Sequence, residues 1–166
     1  MRETGKGDFE LLLQERLAGA RRVAVVGIGD RLLPRDRLGL LSAEAVSDLR
    51  LRGVKVFLAG TVPESMTGPI RRCRPDHVLF LDAAEMGAPP GTIAIVEPER
   101  IQATLFSTHV LPLSVLMEFL EKDAHTRVTL IGIEPDAPAG KGPTPAEQEG
   151  IRHLVSVLKN LLGGNR

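Results

Sequence analysis

Short apolar runs rich in β-branched residues alternate along this chain with longer segments whose apolar positions recur at helical spacing, and this alternation leaves few architectures open. It is the pattern of βαβ units building an α/β domain around a mostly parallel sheet. Strands are expected near 22–28 (RVAVVGI), 54–59 (VKVFLA), 77–82 (HVLFLD), 92–97 (TIAIVE) and 127–133 (RVTLIGI), each as short as buried strands usually are. Helical patterns lie near 8–19, 37–52, 64–73, 110–122 and 144–162. LGLLSAEAVSDLRLRG is the clearest, with an apolar stripe and Gly53 as its stop. Thr144 followed by Pro145, with Glu147 behind, is the expected start of the last helix. Between the last strand and that helix, EPDAPAGKGP (134–143) can continue neither element and is a loop. A length of 166 residues suits one domain with one site.

Charge and side-chain chemistry then exclude several function classes. Lys plus Arg equals Asp plus Glu at 21 each, so there is no basic excess to drive counterion release from nucleic acid or to hold the chain on an acidic membrane. Five Phe with no Tyr or Trp leave few platforms for stacking bases. The single cysteine, Cys73, has no internal partner for a disulfide and lies in IRRCRP, where a structural thiol is the expected reading. The first residues mix both charge signs, and no stretch of about 18 apolar residues occurs. A cytoplasmic protein is therefore expected, with neither nucleic acid nor membrane insertion in its function.

In an open α/β sheet, ligands bind outside the carboxyl ends of the strands, which ranks the polar residues by position. Asp36 falls in the loop after the first strand, Asp82 at the end of the third, and His109 in STHVLPL, where a helix is expected to open. Two carboxylates and an imidazole form a ligand set that suits zinc, nickel or iron with positions left open. The same residues could instead be turn, cap or hydrogen-bonded structural groups, and no compact motif such as His-Glu-x-x-His joins them. His77, His125 and His153 fall away from that edge, and Glu64 and Glu85 are candidate bases or orienting groups. Gly27 and Gly29 open a G-x-G-x-x-G pattern, but Leu32 occupies the third glycine position and no acid closes the second strand, which argues against a dinucleotide site. Lys141 in AGKGPT lacks the spacing of a phosphate-binding loop.

Taken in order, VVGIGDRLLPRDRLG, AGTVPE, RPDHVLFLDAAEMGAPPGTIAIVEP, STHVLPL and LIGIEPD resemble the nickel-iron hydrogenase maturation endopeptidases, in particular the branch serving the hydrogenase of formate hydrogenlyase. The resemblance runs from Val23 to Leu162 and leaves residues 1–21 as an N-terminal helical extension of a single 1–166 domain. It implies a three-layer α/β/α fold on a twisted five-stranded sheet. The implied activity is an endopeptidase that removes a C-terminal extension from the hydrogenase large-subunit precursor after nickel insertion, with the substrate's nickel as recognition signal. The family's metal-binding positions fall on Asp36, Asp82 and His109, the residues already picked out by position. The chain departs from the family pattern at Asp30, where Asn is usual, at Arg35, commonly acidic, and at Arg37, usually glycine. Two guanidiniums beside Asp36 are expected to compete for its carboxylate. A non-catalytic binding or chaperone-like relative with impaired metal recognition is the alternative.

Overall fold

The computed structural model describes residues 5–101, 112–137 and 140–164. Its five strands are β1 (Val23–Ile28), β2 (Val54–Gly60), β3 (His77–Ala83), β4 (Ile93–Val96) and β5 (Arg127–Ile133), in the order β2-β1-β3-β5-β4. β1 is parallel to β2 and β3, and β3 to β5, whereas β4 runs antiparallel along β5. Only a short connection separates β3 from β4, too little for the helical crossover that parallel strands require, so β4 turns back on itself at the edge.

β1 and β3 are buried at every position, because helices cover both faces of the sheet. On one face α1 (Lys6–Leu17), α2 (Leu38–Asp48) and α5 (Pro145–Leu162) pack over Val23, Val25, Leu79, Leu81 and Ile131. On the other, α3 (Thr67–Cys73) and α4 (Leu113–Asp123) pack over Ala24, Val26, Val78, Phe80 and Leu130. The sequence-expected three layers are thus present. Phe9, Leu13 and Leu17 of α1 are buried in the first cluster, each contributing about 2 kcal/mol of transfer free energy. The N-terminal helix is therefore part of the core.

Helix boundaries follow their local chemistry. α5 begins at the expected cap: Thr144 Oγ1 accepts the Glu147 N–H at 3.3 Å while Glu147 Oε1 accepts the Thr144 N–H at 2.9 Å. The segment expected as a helix over 64–73 splits into a 3₁₀ turn, Pro63–Met66, and α3. α2 stops at Asp48, before the expected Gly53. Arg50 turns the chain with a left-handed φ of 50° so that Leu51 can pack on the core, and Gly53, at φ 76°, serves the turn into β2. Most of the segment between Arg100 and α4, including His109, lies outside the described residues. No described helix is long and apolar enough to cross a membrane.

Candidate active site

From β1 the chain moves outward to β2 on one side and then crosses to β3 on the other. The carboxyl ends of β1 and β3 therefore form the switch point at which open α/β sheets place their ligand crevice. α2 packs closely against this end of both strands. Gly39, the second residue of α2, lies so close to both strand ends that a Cβ there would come within 2.3 Å of the carbonyl oxygens of Ile28 and Leu81. Gly27 lets α2 approach β1 in the same way, since a Cβ at 27 would meet the Ala43 Cβ at 2.5 Å. Gly29 adopts φ 136°, and a Cβ there would strike the Asp36 carbonyl oxygen at 2.0 Å. The paired glycines of VVGIGD thus serve packing and loop closure, which is the physical reason they occur without the third glycine of a dinucleotide site.

The loop after β1 folds back on itself. Asp30 N–H donates to Asp36 O at 2.7 Å, Asp36 N–H donates to Leu33 O at 2.9 Å, and the Asp30 carboxylate accepts the Leu32 N–H at 2.9 Å. Asp36 is thereby fixed three residues before Gly39, only 7% exposed. Asp82 sits on the opposite bank as the penultimate residue of β3, paired in register with Gly132 and fully buried at 0% exposure. Alternation along β3 puts Leu79, Leu81 and Ala83 in the α1/α2/α5 cluster and Val78 and Phe80 in the α3/α4 cluster, so Asp82 projects toward the α3/α4 face. The two acids that position alone selected are thus buried in the loop after β1 and at the end of the neighbouring strand β3. Carrying two carboxylates at such depth costs stability that apolar residues would not. Oxygen donors of this kind suit a divalent cation.

Three loops are tied together around these acids, and the ties were not legible beforehand. Arg35, in the loop after β1, forms an ion pair with Glu85, in the loop after β3. Arg37, 6% exposed, does more than neighbour Asp36: its terminal nitrogens donate to Lys141 O at 3.1 Å and Gly142 O at 2.6 Å, clamping the loop after β5. Glu134, buried at the exit of β5, accepts the Met86 N–H at 2.6 Å. Asp136 N–H reaches Glu147 Oε2 at 3.3 Å. Composition marked 134–143 only as a loop. Its partners, the Arg37 guanidinium and the Met86 N–H, lie far away in sequence, where no local pattern reveals them.

The remaining histidines stand away from the crevice. His77 opens β3 at the sheet's amino edge, where its Nε2 lies 2.8 Å from Thr129 Oγ1. Burial, reinforced by the charges of Arg127 and Arg16, lowers its pKa to about 4 and keeps the ring neutral. His125 lies in the turn before β5 and His153 on α5. Cys73 closes α3 with its thiol donating to Pro69 O at 3.2 Å, a structural role. Among the described residues no three side chains of metal-ligating type converge.

The family model described as hydrogenase maturation protease matches residues 43–149. The hydrogenase 3 maturation protease of Escherichia coli is 34% identical over 110 residues, covering 66% of this chain and 70% of its own. The crystal structure of the [NiFe] hydrogenase maturation protease HycI from Thermococcus kodakarensis superposes with a TM-score of 0.81 at 28% identity, covering 92% of this chain and 99% of that one. The solution structure of the endopeptidase HycI from Escherichia coli gives a TM-score of 0.68, also at 28% identity, over 81% and 87% of the two chains.

Proposed function

Because this chain belongs to the hydrogenase maturation protease family and is a peptidase of that family, we propose that it removes the C-terminal extension of a nickel-iron hydrogenase large-subunit precursor once nickel is in place. The reading is supported by the burial of two carboxylates, Asp36 in the loop after β1 and Asp82 at the end of β3, the strand paired beside it. The substrate's nickel supplies the cation these carboxylates suit, and His109 is the third ligand. His109 precedes Leu113, the first residue of α4, by four positions, and α4 covers the face toward which Asp82 projects. Sharing the ion holds the scissile peptide beside it, and the metal polarises a carbonyl or a bound water for attack. Without nickel no divalent cation is shared by the two carboxylates, and the extension is held weakly.

The alternative, a non-catalytic relative disabled by its arginines, was motivated by guanidiniums competing for Asp36. Arg35 has Glu85 and Arg37 has two carbonyls to engage, which supports the catalytic reading instead. Incubation with a cognate precursor, with and without nickel, followed by mass spectrometry of the large subunit, tests the proposal.

A further inference from the structure

At the end of the sheet away from the crevice, the surface is studded with exposed basic side chains. A depression of about 620 Å³ is lined by Arg22, Arg71, Arg74 and Arg127 together with Asp76 and Asp123. A second shares Arg71 and Arg74 and adds Arg72. A third shares Arg22 and adds Lys55, and through Val23, Gly53 and Val54 it continues into a fourth, of about 770 Å³, with Arg21, Arg50 and Arg52. The four form one continuous basic surface across the amino ends of the strands.

Its acids are already engaged. Asp123 pairs with Arg71 at 3.0 Å, and the Asp76 carboxylate accepts the backbone N–H groups of Arg21 and Arg22 at 2.8 and 2.7 Å. These backbone bonds, then the charges of Arg22 and Arg127, hold the Asp76 carboxyl below its ordinary range. Among the described residues, the side chains of Arg22, Arg50, Arg52, Lys55, Arg72 and Arg74 form no hydrogen bond or ion pair. Elsewhere on the surface Arg16, Arg31, Lys122 and Arg152 all have carboxylate partners. The formal net charge of the whole chain is zero, so this edge carries a local excess.

Backbone conformation gives independent support. The described non-glycine residues with positive φ are Arg50, Arg74 and His125, all at this edge, at helix ends where glycine is the relaxed choice. Complementing the helix dipole does not account for Arg74, since Arg71 and Arg72 already occupy the last turn of α3.

We propose that this amino edge docks an acidic segment of a partner protein. The arginine forks match carboxylates. The surface is too extended for a single small anion, and no Phe, Tyr or Trp lines it to stack a nucleobase. The inference does not depend on the peptidase reading, because the surface lies at the opposite end of the sheet from Asp36 and Asp82.

The test is fluorescence anisotropy of the full chain with labelled oligoglutamate, oligoglutamine and oligothymidylate. Oligoglutamate should bind, and its affinity should fall about tenfold or more both on raising salt and in the R22Q/R74G variant. That variant should keep its melting temperature, since Gly at 74 relaxes the left-handed turn, and R52Q/K55Q should weaken binding independently. Absence of oligoglutamate binding, binding indifferent to these substitutions, or tighter binding of oligothymidylate would overturn the proposal.

Discussion

Gly39 lies directly against Asp82: a Cβ at position 39 would stand 2.9 Å from the Asp82 Cα. This glycine in the first turn of α2 thus fixes how closely the helix, and with it the loop bearing Asp36, approaches the end of β3. Gly39→Ala should force the helix away from both strand ends, costing about 3 kcal/mol of stability in a denaturant melt. Processing should be impaired even at temperatures where the variant remains folded. A loss under about 1 kcal/mol would mean that the close approach does not hold the site together.

Arg37 should behave as a clamp. Arg37→Gly removes charge-assisted bonds to Lys141 O and Gly142 O, each of a kind worth about 1.5–3 kcal/mol, and should destabilise the protein by roughly 2 kcal/mol. Protease sensitivity of 134–143 should rise, and KM for the precursor should increase more than kcat falls. Tighter nickel-dependent binding in this variant would instead support the masking role expected from the sequence.

A pH dependence of stability follows from His77. Its folded-state pKa is lowered to about 4 from an ordinary 6.5, so below pH 6.5 the unfolded chain binds a proton that the native state refuses. Stability should be unaffected by this group above pH 6.5, fall as pH drops from 6.5 toward 4, and level off below. The total loss is about 3 kcal/mol. Denaturant melts of wild type and His77→Gln across that range check this, and the variant should show a flatter profile.

The carboxylates call for isosteric substitutions. Asp82 is fully buried within β3, where alanine would leave a void. Asp82→Asn and Asp36→Asn keep the shape while removing charge and should retain or slightly raise the melting temperature, because a neutral amide is cheaper to bury. Processing should drop by at least about a hundredfold in each. Normal processing in either would remove that residue from the site.

The fold was largely legible because most strands are short runs rich in apolar residues and the last helix carries both an apolar stripe and a cap at Thr144 and Glu147. The antiparallel course of β4 is a tertiary choice that a four-residue apolar stretch cannot announce. The strand-end rule singled out Asp36 and Asp82, both of which the structure buries. It missed Glu134 and the real partners of Arg37, since those contacts join Met86, Lys141 and Gly142 across long sequence separations. His109 falls outside the described residues, so its place in the site rests on the motif and on its proximity in sequence to α4.

Mass spectrometry of a cognate large-subunit precursor after incubation with the purified protein addresses the peptidase and its metal gate together. Loss of a C-terminal peptide from the nickel-loaded precursor, none from the nickel-free one, and none with Asp82→Asn is the expected result. An intact verified nickel-loaded cognate precursor, or equal cleavage with and without nickel, would contradict it.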